Sequence, residues 1–206
     1  MAYKTITRAL LIAGLAVGAS SAALAAEKPK LMMGANAKML ADTCVGCHGG
    51  DGSSNGPATP TIAGLSQDYF VEVMEEFATG EVPSTIMGRI AKGYTKDEFK
   101  TLAKYYGDKP FVQAKQSFDK KLVKKGKKLH DKYCEKCHAD GGTSAEDDAG
   151  VLAGQWTPYL NWSMADFKAG HREAPKKMKK KMKKMLSKEG NKGHQALISY
   201  YASQQK

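Results

Sequence analysis

The chain is poor in cysteine: 206 residues hold four, and none stands alone. It has no alternating apolar–polar stretch of the kind a half-buried strand requires, which points away from β architectures and toward an all-α fold. It has no apolar run near the ~20 residues needed to cross a bilayer, so no membrane span is expected once the leader is removed. It is also short of acid, with 21 Asp plus Glu against 32 Lys plus Arg and a net charge of +11.

What is present begins with the leader. Lys4 and Arg8 precede a short apolar run, Ala9 to Val17, and small residues follow at Ala23 to Ala26. This is the layout of a cleavable secretory signal at 1–26, which predicts export to the periplasm. The alternative, an uncleaved anchor, needs a longer apolar core. Removing the leader takes away two positive charges and leaves +9. A basic exported protein of this kind is not expected to bind nucleic acid.

The four cysteines form two CxxC pairs, and a histidine follows each: Cys44-Val45-Gly46-Cys47-His48 and Cys134-Glu135-Lys136-Cys137-His138. Two disulfides, common in exported proteins, do not explain the histidine at the same place twice. One four-cysteine zinc site would have to close over the 86 residues between Cys47 and Cys134. A thioredoxin-like pair needs a strand before and a helix after, whereas Gly49, Gly50, Gly52, Gly141 and Gly142 follow these motifs. Covalent c-type heme accounts for every residue. Cys44 and Cys47, and again Cys134 and Cys137, would bond the two vinyl groups, and His48 and His138 would ligate the two irons.

The motifs lie 90 positions apart and the likeness extends around them. Ala63-Gly64 pairs with Ala153-Gly154. Tyr69, Met74, Phe77 and Gly80 pair with Tyr159, Met164, Phe167 and Gly170, and Lys38 and Met39 with Lys128 and Leu129. Such self-similarity marks a duplicated unit. We therefore expect an N-terminal heme domain over 27–109 and a C-terminal one over 110–206, with a linker from Asp108 to Phe118 broken at Pro110. Each copy should hold a helix running into its CxxCH (Gly34–Cys44, Lys121–Cys134) and a middle helix (Ser66–Thr79, Thr157–Lys168). The closing helices run from a capping box at Thr95–Glu98 to Tyr106, and from Lys192 to Ser203. Halves of roughly 90 residues have thin cores that a buried porphyrin would supplement.

Each iron then lacks one axial ligand. Met87, between the middle and last helices, fits the first. Met39, Met74 and Met164, at helical spacing, read as core. In the second copy Met178 and Met182 both fit, depending on which end is counted from, and His171 is a third option. Methionine ligation raises the heme potential and leaves no open site, which favours electron transfer over catalysis. A backbone carbonyl should hold each histidine's N–H; Pro60 is placed for this, whereas Gly150 in the second copy implies a different support. Lys176 to Lys184 holds seven lysines in nine residues, a solvated face or a docking surface for an acidic partner.

Longer blocks carry a more specific resemblance: Phe70–Glu75, Ser84–Tyr94, Ala114–Asp119, Lys128–His138, Leu152–Leu160 and Tyr201–Gln205. On these the chain resembles the diheme cytochrome c subunit of flavocytochrome c sulfide dehydrogenase. The resemblance implies two tandem class I cytochrome c-like domains, His/Met ligation of both hemes, and Met178 rather than Met182 as the second methionine. It implies no catalytic residue on this chain. A heterodimer with an FAD-containing subunit would oxidise sulfide, and this chain would pass the electrons to a small soluble acceptor cytochrome. A free-standing diheme shuttle feeding a terminal oxidase or reductase is the alternative. A diheme peroxidase would need an open iron, against which Met87 and Met178 argue.

Overall fold

A computed structural model describes residues 34–146 and 149–205; the signal segment at 1–26 lies outside them. Among the described residues the elements are all helical. The first half holds α1 (Ala37–His48), α2 (Gln67–Thr79), α3 (Met87–Ala91) and α4 (Lys96–Gly107). The second holds α5 (Lys120–Tyr133), the short turn α6 (Ala139–Gly142), α7 (Thr157–Ala169) and α8 (Lys176–Ala202). No helix of the described residues is long and apolar enough to cross a membrane.

Local chemistry sets most boundaries. The Asn36 side chain accepts from Met39 N, Ser66 from Tyr69 N, and Asp119 from Lys121 N, so three helix starts have a side-chain cap. Thr95 and Glu98 form the reciprocal capping box at the start of α4. Gly80 and Gly170 end α2 and α7 in the left-handed region, at φ 87° and 75°, where a side chain is strained.

Each half has its own apolar core. Leu40, Phe70, Met74, Phe99, Leu102 and Tyr106 fill the first; Leu129, Leu160, Met185, Leu197, Tyr200 and Tyr201 fill the second. The duplication is visible in the backbone. Ile62 N and Ala63 N donate to Gly52 O, as Leu152 N and Ala153 N donate to Gly142 O. Gly64 N donates to Tyr106 O, and Gly154 N to Tyr201 O.

Three expectations change. The first helix does not stop at Cys44 but carries the whole CxxCH, so both sulfurs and the imidazole sit on one helical turn. Met39 is not core: it is 53% exposed, because α1 turns Leu40 and Ala41 inward. The closing helix of the second copy starts at Lys176 rather than Lys192 and is kinked at Gly190 (φ 59°, ψ −154°).

The halves meet through polar contacts distant in sequence. Gln155, buried, accepts from Thr61 N and donates to Thr61 O, both at 2.9 Å. Trp156 Nε1 donates to Ser54 O at 3.1 Å. Arg172 of the second half reaches Glu76 of the first at 3.9 Å.

The α7–α8 packing contains a proton-sensitive group. His194 Nε2–H donates to Asn161 Oδ1 at 2.7 Å, and Nδ1 is buried with no hydrogen-bond partner among the described residues. Burial pushes the His194 pKa below the ordinary 6.5, and Lys168 pushes it the same way. The unfolded chain therefore takes up this proton at higher pH than the folded one. The stability from neutral His194 is complete above the ordinary imidazole pKa and is lost as pH falls below it. Chemical denaturation of the heme-loaded protein from pH 7.5 down to 5 should show this slope, and His194→Gln should make it shallower. An unchanged slope in the variant would remove His194 from the account.

Candidate heme sites

The first motif lies on the last turns of α1. Cys44 is half-buried, Cys47 exposed and His48 buried. The second begins where α5 ends, with Cys134 half-buried, Cys137 exposed and His138 half-buried. All four cysteines are free. Among the described residues they do not gather into one metal-binding group, which leaves the four-cysteine zinc reading without support. Burial pushes the Cys44 and Cys134 thiols up, the opposite of the lowered thiol of a thioredoxin-like pair.

The histidines are held as ligands are held. His48 Nδ1–H donates to Pro60 O at 2.8 Å, the support expected from the sequence. His138 Nδ1–H donates to Gly150 O at 3.3 Å. The second copy is thus supported in the same way, twelve residues downstream, with a longer bond. Gly150 has a steric cause: a Cβ there would lie 2.7 Å from Tyr69 Oη of the other half. Both bonds fix the proton on Nδ1 and leave the Nε2 lone pair free for a metal. Burial lowers the pKa of both imidazoles and keeps them neutral.

The methionines sit where helices begin. Met87 is the first residue of α3 and half-buried; Ser84 Oγ, accepting from Gly88 N at 2.6 Å, secures the turn around it. Met178 lies in the first turn of α8, Met182 one turn on, both half-buried, and Met185 is core at 2% exposure. Met74 is core, and Met164 only half-buried. His171 is exposed beside Asp166. In each copy, then, paired thiols and a neutral imidazole pinned at Nδ1 suit a c-type heme, and a half-buried methionine stands in the first turn of a later helix.

One difference between the copies was not anticipated. Leu40 in α1 corresponds to His130 in α5, which is fully buried. His130 Nδ1 bonds Tyr201 Oη at 3.0 Å, and Nε2 is held by Glu135, which also accepts from Gly141 N at 3.2 Å. The break in the apolar pattern at His130 was the only sequence signal for it.

No protein-family model matches the chain. It is 42% identical over 71 residues to the cytochrome subunit of sulfide dehydrogenase of Chlorobaculum tepidum, spanning 34% of this chain and 64% of that protein, so less than two thirds of that relative is matched. It is 28% identical over 190 residues to cytochrome c4 of Azotobacter vinelandii, with 83% of each chain covered. In fold it is similar to the reduced recombinant cytochrome c4 from Pseudomonas stutzeri: TM-score 0.68 and 24% identity, over 81% of this chain and 95% of that one. The repeated CxxCH, the duplicated all-α framework and these relatives together support a diheme cytochrome c with two tandem class I cytochrome c-like domains.

Proposed function

We propose that this chain is the exported electron-transfer subunit of a sulfide-oxidising flavoprotein complex. The observation that carries the proposal is the 42% identity to a cytochrome subunit of sulfide dehydrogenase, supported by two half-buried methionines at matching helix starts. When bound, each heme supplies a one-electron Fe(III)/Fe(II) couple. Cys44, Cys47, Cys134 and Cys137 anchor the two groups. His48 and His138 present Nε2, oriented by the Pro60 and Gly150 carbonyls. Met87 and Met178 would supply the second protein ligand to the two irons, leaving no open site for water or substrate. The chain carries no catalytic residue of its own; FAD resides on the partner. The domain limits are 27–109 and 110–206, and the mature protein works in the periplasm.

The free-standing shuttle is favoured by one specific observation, the 83% mutual coverage with a cytochrome c4. Isolation of the native protein separates the two readings. The sulfide reading expects a second polypeptide with stoichiometric FAD, and reduction of the hemes on adding sulfide to that complex. Purification of the cytochrome alone, without affinity for any flavoprotein, would leave the shuttle.

A further inference from the structure

The two halves differ sharply in charge. Residues 34–109 carry 7 Lys plus Arg and 10 Asp plus Glu, hence −3; residues 110–206 carry 21 and 10, hence +11. The excess is concentrated on two packed helices. On α8, Lys176, Lys177, Lys179, Lys180, Lys181, Lys183 and Lys184 are all exposed. On and just after α5, so are Lys124, Lys125, Lys128, Lys132 and Lys136. Lys181 Nζ donates to Lys132 O at 3.5 Å and joins the two into one face.

Helix energetics alone do not favour this arrangement. The α8 run stands at the positive end of the helix dipole, where cations are unfavourable, and the first turn holds no acid. Lysines three and four apart repel, at roughly 0.2–0.5 kcal/mol a pair. Among the described residues, only Lys179 of the seven has a carboxylate within 4.0 Å, Glu173 at 3.4 Å. A helix face serving only solubility would intersperse Glu with Lys; among the described residues this one leaves six cations without an acidic partner.

The face adjoins the second redox site. Lys136 lies inside the second CxxCH, next to exposed Cys137. Lys181 is near enough to Cys134 for its charge to act on that thiol. The apolar side of α8 is already used: Met185 is core, and Met178, Met182 and Leu186 are half-buried. A helix that binds membranes needs a free apolar face to insert, and α8 has none to offer.

We propose that the lysine face of α5 and α8 is the docking surface for an acidic redox protein, and that electrons leave this cytochrome through the second heme to that partner. In the transfer the second iron goes from Fe(II) to Fe(III) and the partner's one-electron centre is reduced; no bond or proton moves. The opposite sign of the first half orients the encounter, since an acidic partner is attracted to one end and repelled from the other. The proposal rests on the electron-transfer reading but not on the flavoprotein assignment.

The test is oxidation of the reduced, heme-loaded protein by two probes: a plastocyanin with an acidic patch, and the cationic complex tris(phenanthroline)cobalt(III). The expected plastocyanin rate is high at low salt and falls about tenfold toward high ionic strength. Lys176, Lys180 and Lys183 lie about 200° around α8 from Met178, Met182 and Met185, on the outward side. The triple variant Lys176→Gln, Lys180→Gln, Lys183→Gln should lose about tenfold with plastocyanin at low salt and nothing with the cobalt complex. The matching triple variant in the first half, Lys92→Gln, Lys100→Gln, Lys104→Gln, should keep the parent's rate with both. Heme spectra and thermal unfolding of each variant verify the fold. Equal loss in both triple variants, or loss with both probes, overturns the proposal. So does a plastocyanin rate that is unaffected while binding to phosphatidylglycerol vesicles is lost, which would assign the face to an anionic lipid surface.

Discussion

Met178→Ala is expected to abolish the methionine–iron band of one heme, roughly half the total at the red end of the oxidised spectrum, while Met182→Ala leaves the band whole. Two structural parallels support Met178. Gly80 ends α2 and Gly170 ends α7 in the same left-handed conformation. Met87 then follows seven residues after Gly80, and Met178 eight after Gly170, each in the first turn of the next helix. Met182 lies one turn further along the stripe that leads to Met185, which is packed in the core. Met87→Ala should remove the other half of the band, and Met87→Ala with Met178→Ala all of it. Losing the thioether should also lower the affected heme's reduction potential, because methionine ligation raises it. A band lost with Met182→Ala and retained with Met178→Ala would transfer the ligand role one turn along α8.

Much of the site was legible because it is local. CxxCH places its three donors within five residues, and the 90-residue offset places them twice. The capping box at Thr95 and the carbonyl of Pro60 were readable for the same reason: each acts over a few residues or within one loop. The seam was not readable. Gln155 and Thr61 are 94 residues apart, Trp156 and Ser54 102, and neither member of either pair breaks a local pattern. Gly150 was misjudged for a related reason. Its support of His138 looked different from that of Pro60, yet the backbone carbonyl does the same work in both copies, and the missing side chain makes room for Tyr69.

The α8 boundary was missed because seven lysines in nine residues conceal a helical period. The period is there in the gaps: Met178, Met182 and Met185 recur at i, i+4 and i+7, the spacing of one helix face. Gly190 then interrupts the helix with a non-helical backbone, so the stretch after it looked like a fresh start at Lys192. Met39 failed in the other direction. Its repeat partner Leu129 is buried, but in α1 the inward positions are Leu40 and Ala41, so the pairing there holds in sequence and not in burial.

Gly126→Ala should strongly destabilise the second half, against the intrinsic preference of a helix for alanine. In an open helix this substitution gains about 0.8–1.0 kcal/mol. Gly126, however, is where α5 meets α8. A Cβ there would stand 2.0 Å from Ala196 O and 2.6 Å from Tyr200 Cβ, and the first of these is backbone that no rotamer change can move. The helices would have to separate, loosening Leu129, Leu197 and Tyr200 together. A net cost of about 3 kcal/mol is expected, at the upper end of what overpacking usually does. The first half offers no equivalent contact: ninety residues back stands Asn36, the residue that caps α1. The loss should therefore be confined to one half. Denaturant unfolding followed at the methionine–iron bands should show the Met178-associated signal failing early and the Met87-associated signal holding. A stability gain in Gly126→Ala would mean that α5 and α8 do not approach this closely, and the packing of the second core would have to be redrawn.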